Sequence, residues 1–231
     1  MERDRGMEIL ARGAWLSRMP EDFRRAILSG SEWRRFEIGS PLQLGGEETG
    51  ELVGLADGIV EMRTVLGRAD TPIMHLAHPV LWFGYMPILF GDGRRISAAA
   101  RTPVWVARMS EVSLRRLLDD RPDWWRHFIQ PTVTYGDVAV GIAADLLIRD
   151  SARRCAAVLL RLGGKRFASA EDLEPVFVPI TQSELAGAAN LSRNSVLAIL
   201  GRLQGRGLVE AAYRGISVRS PVALRAFVET E

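Results

Sequence analysis

Between Trp33 and Met109, glycine and proline punctuate the chain at short intervals: Gly39, Gly45, Gly46, Gly50, Gly54, Gly58, Gly67, Pro72, Pro79, Gly84, Gly91, Gly93 and Pro103. Glycine breaks regular structure through its conformational freedom, and proline through its fixed φ and missing N–H. The runs between them are short, apolar and β-branched, as in Leu52–Leu55, Ile59–Met62 and Val104–Ala107. Many short strands at roughly even spacing predict an antiparallel sandwich or barrel. Asp57-Gly58 between two such runs predicts a hairpin turn.

Helical patterns frame this segment. Leu10, Ala14, Met19, Phe23, Ile27 and Leu28 fall near helical spacing over residues 7–30, with Pro20 placed to start a second helix. Ser110 is a good N-cap for a helix reaching Asp120, and Pro122 opens a long helix to about Arg149. On that helix Phe128, Tyr135 and Ile142 repeat every seven residues, as do Thr132, Ala139 and Leu146. Such a seam pairs with another helix or serves an ordinary core, and Phe128, Tyr135, Ile142 and Leu146 are the expected dimer contacts. Pro131 predicts a kink. Asp150-Ser151 reads as a break and a fresh cap for a helix ending at Gly163-Gly164. The expected organisation is α+β: residues 1–120 a β-rich domain with flanking helices, 121–149 a dimerisation helix, 150–231 a second domain.

A composition 47% hydrophobic and 25% charged argues against disorder. The run Thr71–Gly91 carries no Asp, Glu, Lys or Arg, yet its three prolines, with His75 and His78, make a poor membrane span. Two buried strands joined by a turn fit it better. The single cysteine, Cys155, leaves no disulfide framework and too few thiolates for an iron–sulfur cluster. With no signal-peptide pattern at the N-terminus, this points to the cytoplasm. His75, His78 and Cys155 leave a haem- or metal-based sensor conceivable, but two histidines three apart on a strand point to opposite faces. No carboxylate accompanies them at a metal-binding spacing, so neither a metal, a cofactor nor an enzyme is expected. From Ser151 onward the chain carries 11 Lys/Arg against 7 Asp/Glu, which hints at a polyanionic partner.

The C-terminal segment is the most informative. Thr181 with Glu184 three residues later forms a capping box, and Leu185, Ala186 and Ala189 give that helix a small apolar face. Asn190-Leu191 is a short turn, and Ser192 caps a second helix. There Val196, Ile199, Leu200 and Leu203 face inward, while Arg193, Asn194, Ser195 and Arg202 face out. Two short helices meeting at a tight turn make a helix-turn-helix, whose second helix enters the major groove of duplex DNA. Arg193 can bond guanine O6 and N7 together, and Asn194 can pair with adenine. Ser192 and Thr181, with exposed amides at helix N-termini, can hold phosphates, and Gln182 and Ser195 complete the expected DNA-binding set with Arg202. Leu208–Glu210 and Gly215–Val218, joined around Tyr213-Arg214-Gly215, read as a wing with Arg214 at its tip.

On these motifs the chain resembles the Crp/Fnr family of bacterial transcription regulators. Ile180–Ala186 and Leu191–Val196 are similar to the family's helix-turn-helix. Phe36–Gly39, Gly54–Val60 and Phe83-Gly84 through Arg95 resemble its cyclic-nucleotide-binding β-roll, a jelly roll. The resemblance implies a homodimer across the long helix, a two-fold-symmetric operator, effector control and contact with RNA polymerase. It also implies an effector pocket at Gly84, Tyr85, Arg95 and Ile96. The family has Gly-Glu and Arg-Ser there, so tyrosine replaces the ribose-binding carboxylate and isoleucine the phosphate-binding hydroxyl. Each lost partner costs about 1–3 kcal/mol, which predicts that cyclic AMP is not the effector. Asn194 and Ala198 also depart from the family's acidic residue and second arginine. They predict an altered half-site, and leave open a ligand-binding or scaffolding protein whose helix-turn-helix no longer reads bases.

Overall fold

A computed structural model describes residues 3–66, 71–91, 93–212 and 214–230. In chain order it contains α1 (Arg3–Ala11), α2 (Glu21–Ser29), β1 (Glu32–Phe36), β2 (Pro41–Gln43), β3 (Glu51–Asp57), β4 (Val60–Thr64), β5 (His75–Ala77), β6 (Leu81–Phe83), α3 (Met86–Phe90), β7 (Ile96–Ala100), β8 (Val104–Ser110), α4 (Glu111–Asp120) and α5 (Ile129–Leu147). Then follow α6 (Ser151–Leu162), β9 (Val176–Val178), α7 (Gln182–Ala188), α8 (Arg193–Gly205), β10 (Val209–Ala212), β11 (Gly215–Val218) and α9 (Pro221–Glu229). The chain divides into two compact units, residues 1–71 with 77–137 and residues 72–76 with 138–231.

The first unit is built on two antiparallel sheets, β1-β8-β3-β6 and β2-β7-β4-β5. Alternation along β3 explains how one strand serves two cores. Val53 and Leu55 join a cluster fed by both sheets, including Leu42, Val60, Met62, Phe83, Ala98 and Val106. Leu52 and Ala56 point the other way, into a cluster with Trp15, Phe23, Trp82, Tyr85, Trp124 and Phe128. Trp15 ties this second core together, its Nε1 donating to the His127 carbonyl at 2.7 Å and its ring edge-on to Trp82. Ser110 caps α4 as expected, its hydroxyl accepting from the Ser113 N–H.

Asp57-Gly58 is a turn but not a hairpin. β3 pairs with β8 and β6, whereas β4 pairs with β7, so the turn carries the chain from one sheet to the other. Gly58 has φ +84°, and a Cβ there would lie 2.3 Å from the Pro103 carbonyl. Ile59 N–H donates to Thr102 Oγ1 at 2.8 Å. Packing against residues 101–103 therefore decides where the two strands diverge.

The long helix differs from expectation in two ways. Pro122–Phe128 is 3-10, and the α-helix starts at Ile129, which puts Pro131 in its first turn. No intrahelical acceptor is due there, so proline breaks no helical hydrogen bond and the kink loses its cause. The residues of the heptad pattern are also unevenly buried. Phe128 is buried, and Tyr135 packs on the same core with its hydroxyl donating to the Trp82 carbonyl at 3.2 Å. Ile142 is half-buried, while Leu146 remains exposed. The open stripe lies one residue further on: Ile129, Val133, Gly136, Val140, Ala143 and Leu147, all exposed, at alternating spacings of four and three.

In the second unit α6 is the central helix. Asp150 caps it, accepting from the Arg153 N–H at 2.7 Å, and Gly164 ends it at φ +69°. Every residue from Cys155 to Leu162 is buried. Burial pushes the Cys155 thiol up to about 12, so it stays protonated near neutral pH. The charged member of this run, Arg161, bonds Asp145 at 2.9 Å and the Met74 carbonyl at 2.7 Å. Arg166 reaches the other Asp145 oxygen at 3.2 Å. Two arginines thus satisfy one buried carboxylate. Among the described residues, no helix is long and apolar enough to cross a membrane.

Candidate nucleic-acid interface

Local sequence dictates the meeting of α7 and α8. The Thr181 hydroxyl accepts from the Glu184 N–H at 3.2 Å while the Glu184 carboxylate accepts from the Thr181 N–H at 2.8 Å, a complete capping box. The far end of α7 closes with Asn190 at φ +51°. Leu191 N–H donates to the Ala186 carbonyl at 2.9 Å and Asn190 N–H to the Gly187 carbonyl at 3.3 Å. This is a Schellman motif with asparagine in its left-handed position, and asparagine tolerates that conformation better than most residues. Ser192 then caps α8, accepting from the Ser195 N–H at 3.1 Å. Two caps and one left-handed residue fix the angle between the helices. Arg154 fastens the turn from behind, its Nε donating to the Ala189 carbonyl at 3.0 Å.

Val196, Ile199, Leu200 and Leu203 are buried, and Arg193, Asn194, Ser195 and Arg202 are exposed, as the pattern predicts. The wing is present as well. β10 and β11 pair antiparallel from Val209↔Val218 to Ala212↔Gly215, and β9 adds a third strand through Ile216↔Val178. Arg214 sits at the tip with φ +60°, while Tyr213 lies outside the described residues.

A concave surface of about 230 Å³ collects half of the expected site, Thr181, Gln182, Arg193 and Arg214. Ile180, Thr181, Gln182, Ser183, Arg193, Ala212, Arg214 and Gly215 line it. The start of α7, the first residue of α8 and the wing tip therefore converge. Ser192, Asn194, Ser195 and Arg202 are not among its lining residues and are exposed at the cap or on α8. Two further hydrogen bonds occupy hydroxyls at these caps. The Thr181 hydroxyl also donates to the Glu184 carboxylate at 2.8 Å, and the Ser192 and Ser195 hydroxyls bond each other at 2.8 Å. These hydroxyls serve the caps of α7 and α8. Leu197, an apolar residue on α8, is 44% exposed.

The four residues expected to form an effector pocket differ in exposure. Tyr85 is fully buried, its ring tilted against Phe128 and Tyr135 at 5.4 and 6.2 Å. Burial pushes its phenol up to about 12. Arg95 is exposed and Ile96 half-buried. Gly84, at φ +87°, sits so close to Gln43 that a Cβ would lie 2.0 Å from its side-chain nitrogen. The buried guanidinium here belongs to the neighbouring Arg94, which donates to the Thr49 carbonyl at 2.8 Å and lies 3.6 Å from Glu47. The tyrosine's bulk explains the difference, since an aromatic ring gains far more from the core than from a polar pocket. Among the described residues no group of three or more His, Cys, Asp or Glu side chains could hold a metal ion.

Comparison with known proteins agrees with this geometry. Residues 153–227 match the family of Crp-like helix-turn-helix domains. No curated protein matches the chain by sequence. Solved structures match the whole fold. A Ruegeria pomeroyi protein described as a candidate cyclic nucleotide binding protein is 20% identical, covers 100% of both chains and gives a TM-score of 0.67. A CRP/FNR-family transcriptional regulator of Thermus thermophilus is 24% identical over 86% of this chain and 99% of its own, with a TM-score of 0.63. The cyclic-di-GMP-responsive global regulator CLP of Xanthomonas campestris is 20% identical over 87% of this chain and 100% of its own, with a TM-score of 0.66. The chain thus has the fold of CRP/FNR regulators, a cyclic-nucleotide-binding-like domain followed by a helix-turn-helix.

Proposed function

Starting from a Crp-like helix-turn-helix domain on a chain with the fold of CRP/FNR regulators, we propose that this protein is a sequence-specific, double-stranded-DNA-binding transcription regulator. It acts as a homodimer on a two-fold-symmetric operator and does not depend on cyclic AMP. The observation that carries the reading is the convergence of the α7 start, Arg193 and Arg214 on one concave surface. A duplex presents its phosphates and the edge of a base pair together, and this surface offers arginines for both. The exposed α5 stripe supports the dimer, because alternating four- and three-residue spacing is that of a helix pairing with its copy. Independence from cyclic AMP is supported by the full burial of Tyr85, which stands where the resembling family offers a carboxylate to the ribose.

Arg193 separates base reading from generic attraction. Arg193→Ala is expected to weaken binding to the selected site by about 1–3 kcal/mol and relax preference at one position of each half-site. Anisotropy titrations on the selected duplex and on a scrambled duplex measure this. Equal losses on both duplexes would contradict base reading by Arg193.

A further inference from the structure

The exposed face of α8 holds one large apolar side chain that the core does not use. Its inward residues, Val196, Ile199, Leu200 and Leu203, lie on one side at steps of about 100° per residue. The opposite side carries Asn194, Ala198, Gly201 and Gly205, with Leu197 between the Arg193 and Asn194 rows, one turn further along. Leu197 is 44% exposed. Its surroundings are small: a Cβ on Gly201 or on Gly205 would meet nothing within 4 Å. The helix contains no acidic residue, and Arg193, Arg202 and Arg206 edge it. Small side chains at its centre and cations at its margins suit close approach to the floor of a major groove.

That floor offers one apolar group, the C5 methyl of thymine. We propose that Leu197, with Ala198 beside it, selects thymine in each half-site by packing on this methyl, next to the guanine read by Arg193. The inference rests on the reading of α8 as the groove-entering helix. It makes Leu197 a specificity-determining residue in a helix that lacks further arginines at its centre.

Uracil lacks only this methyl, so thymine-to-uracil substitution isolates the contact. Purified full-length protein is titrated by anisotropy against its selected duplex and against versions with uracil at each thymine in turn. Loss of one buried methyl corresponds to about four-fold weaker binding, and about fifteen-fold when both half-sites are changed. Leu197→Ala is expected to bind thymine and uracil duplexes alike, while binding scrambled DNA as the parent does. Leu197→Gln, which keeps the length but not the apolar character, is expected to do the same, and circular dichroism checks that both variants fold. The proposal is overturned if the parent shows no uracil sensitivity at any position, or if Leu197→Ala keeps it. Binding to operator without uracil sensitivity sinks the Leu197 assignment alone. Binding to no duplex sinks the regulator reading with it.

Discussion

Individual residues in this protein are decided by which partner they can reach. Asp145 is almost fully buried and would be costly alone, but Arg161 and Arg166 each take one of its oxygens. Removing the carboxylate strands a buried guanidinium, so Asp145→Ala is expected to cost about 3–5 kcal/mol in urea unfolding. A loss below about 1 kcal/mol would mean that water reaches the pair. Tyr85 shows the same logic in apolar form. A tyrosine where the resembling family carries a carboxylate is here a core residue.

Among the elements, the helix-turn-helix is held by its ends more than by its length, since α7 has only seven residues. Asn190 is its most constrained point. Asn190→Ala forces a Cβ-bearing residue without a helpful side chain into the left-handed region, with an expected loss of about 1 kcal/mol. Asn190→Gly is expected to be neutral or stabilising. Thermal unfolding of the two variants distinguishes them, and equal behaviour would contradict the strain assigned to this turn. These elements were legible in the sequence because caps act within four residues: Ser110, Asp150, Thr181 and Ser192 all do what their types and spacings predict. The partners of β3 and β4 were not, since sheet membership is set by contacts some forty residues away, such as Ile59 with Thr102. The partial burial of the α5 heptad pattern was not legible for a related reason. Phe128 and Tyr135 carry the larger apolar area, and the N-terminal core claimed it. Within the site, Arg193 and Arg214 were legible as exposed basic residues at a helix start and a turn. That the two line one concave surface with Thr181 and Gln182 could be known only from the fold.

At the scale of the molecule the account requires two copies, because one helix-turn-helix reads one half-site and symmetry doubles it. The stripe Ile129, Val133, Gly136, Val140, Ala143 and Leu147 is the surface assigned to that pairing. The most direct measurement selects bound sequences from a random duplex library with purified protein, no added ligand, and Val140→Glu in parallel. The account predicts that the parent recovers a palindrome with half-sites about one helical turn apart, while Val140→Glu, monomeric by light scattering, recovers none. Recovery of no sequence by the parent, or of the same palindrome by a monomeric variant, would contradict it.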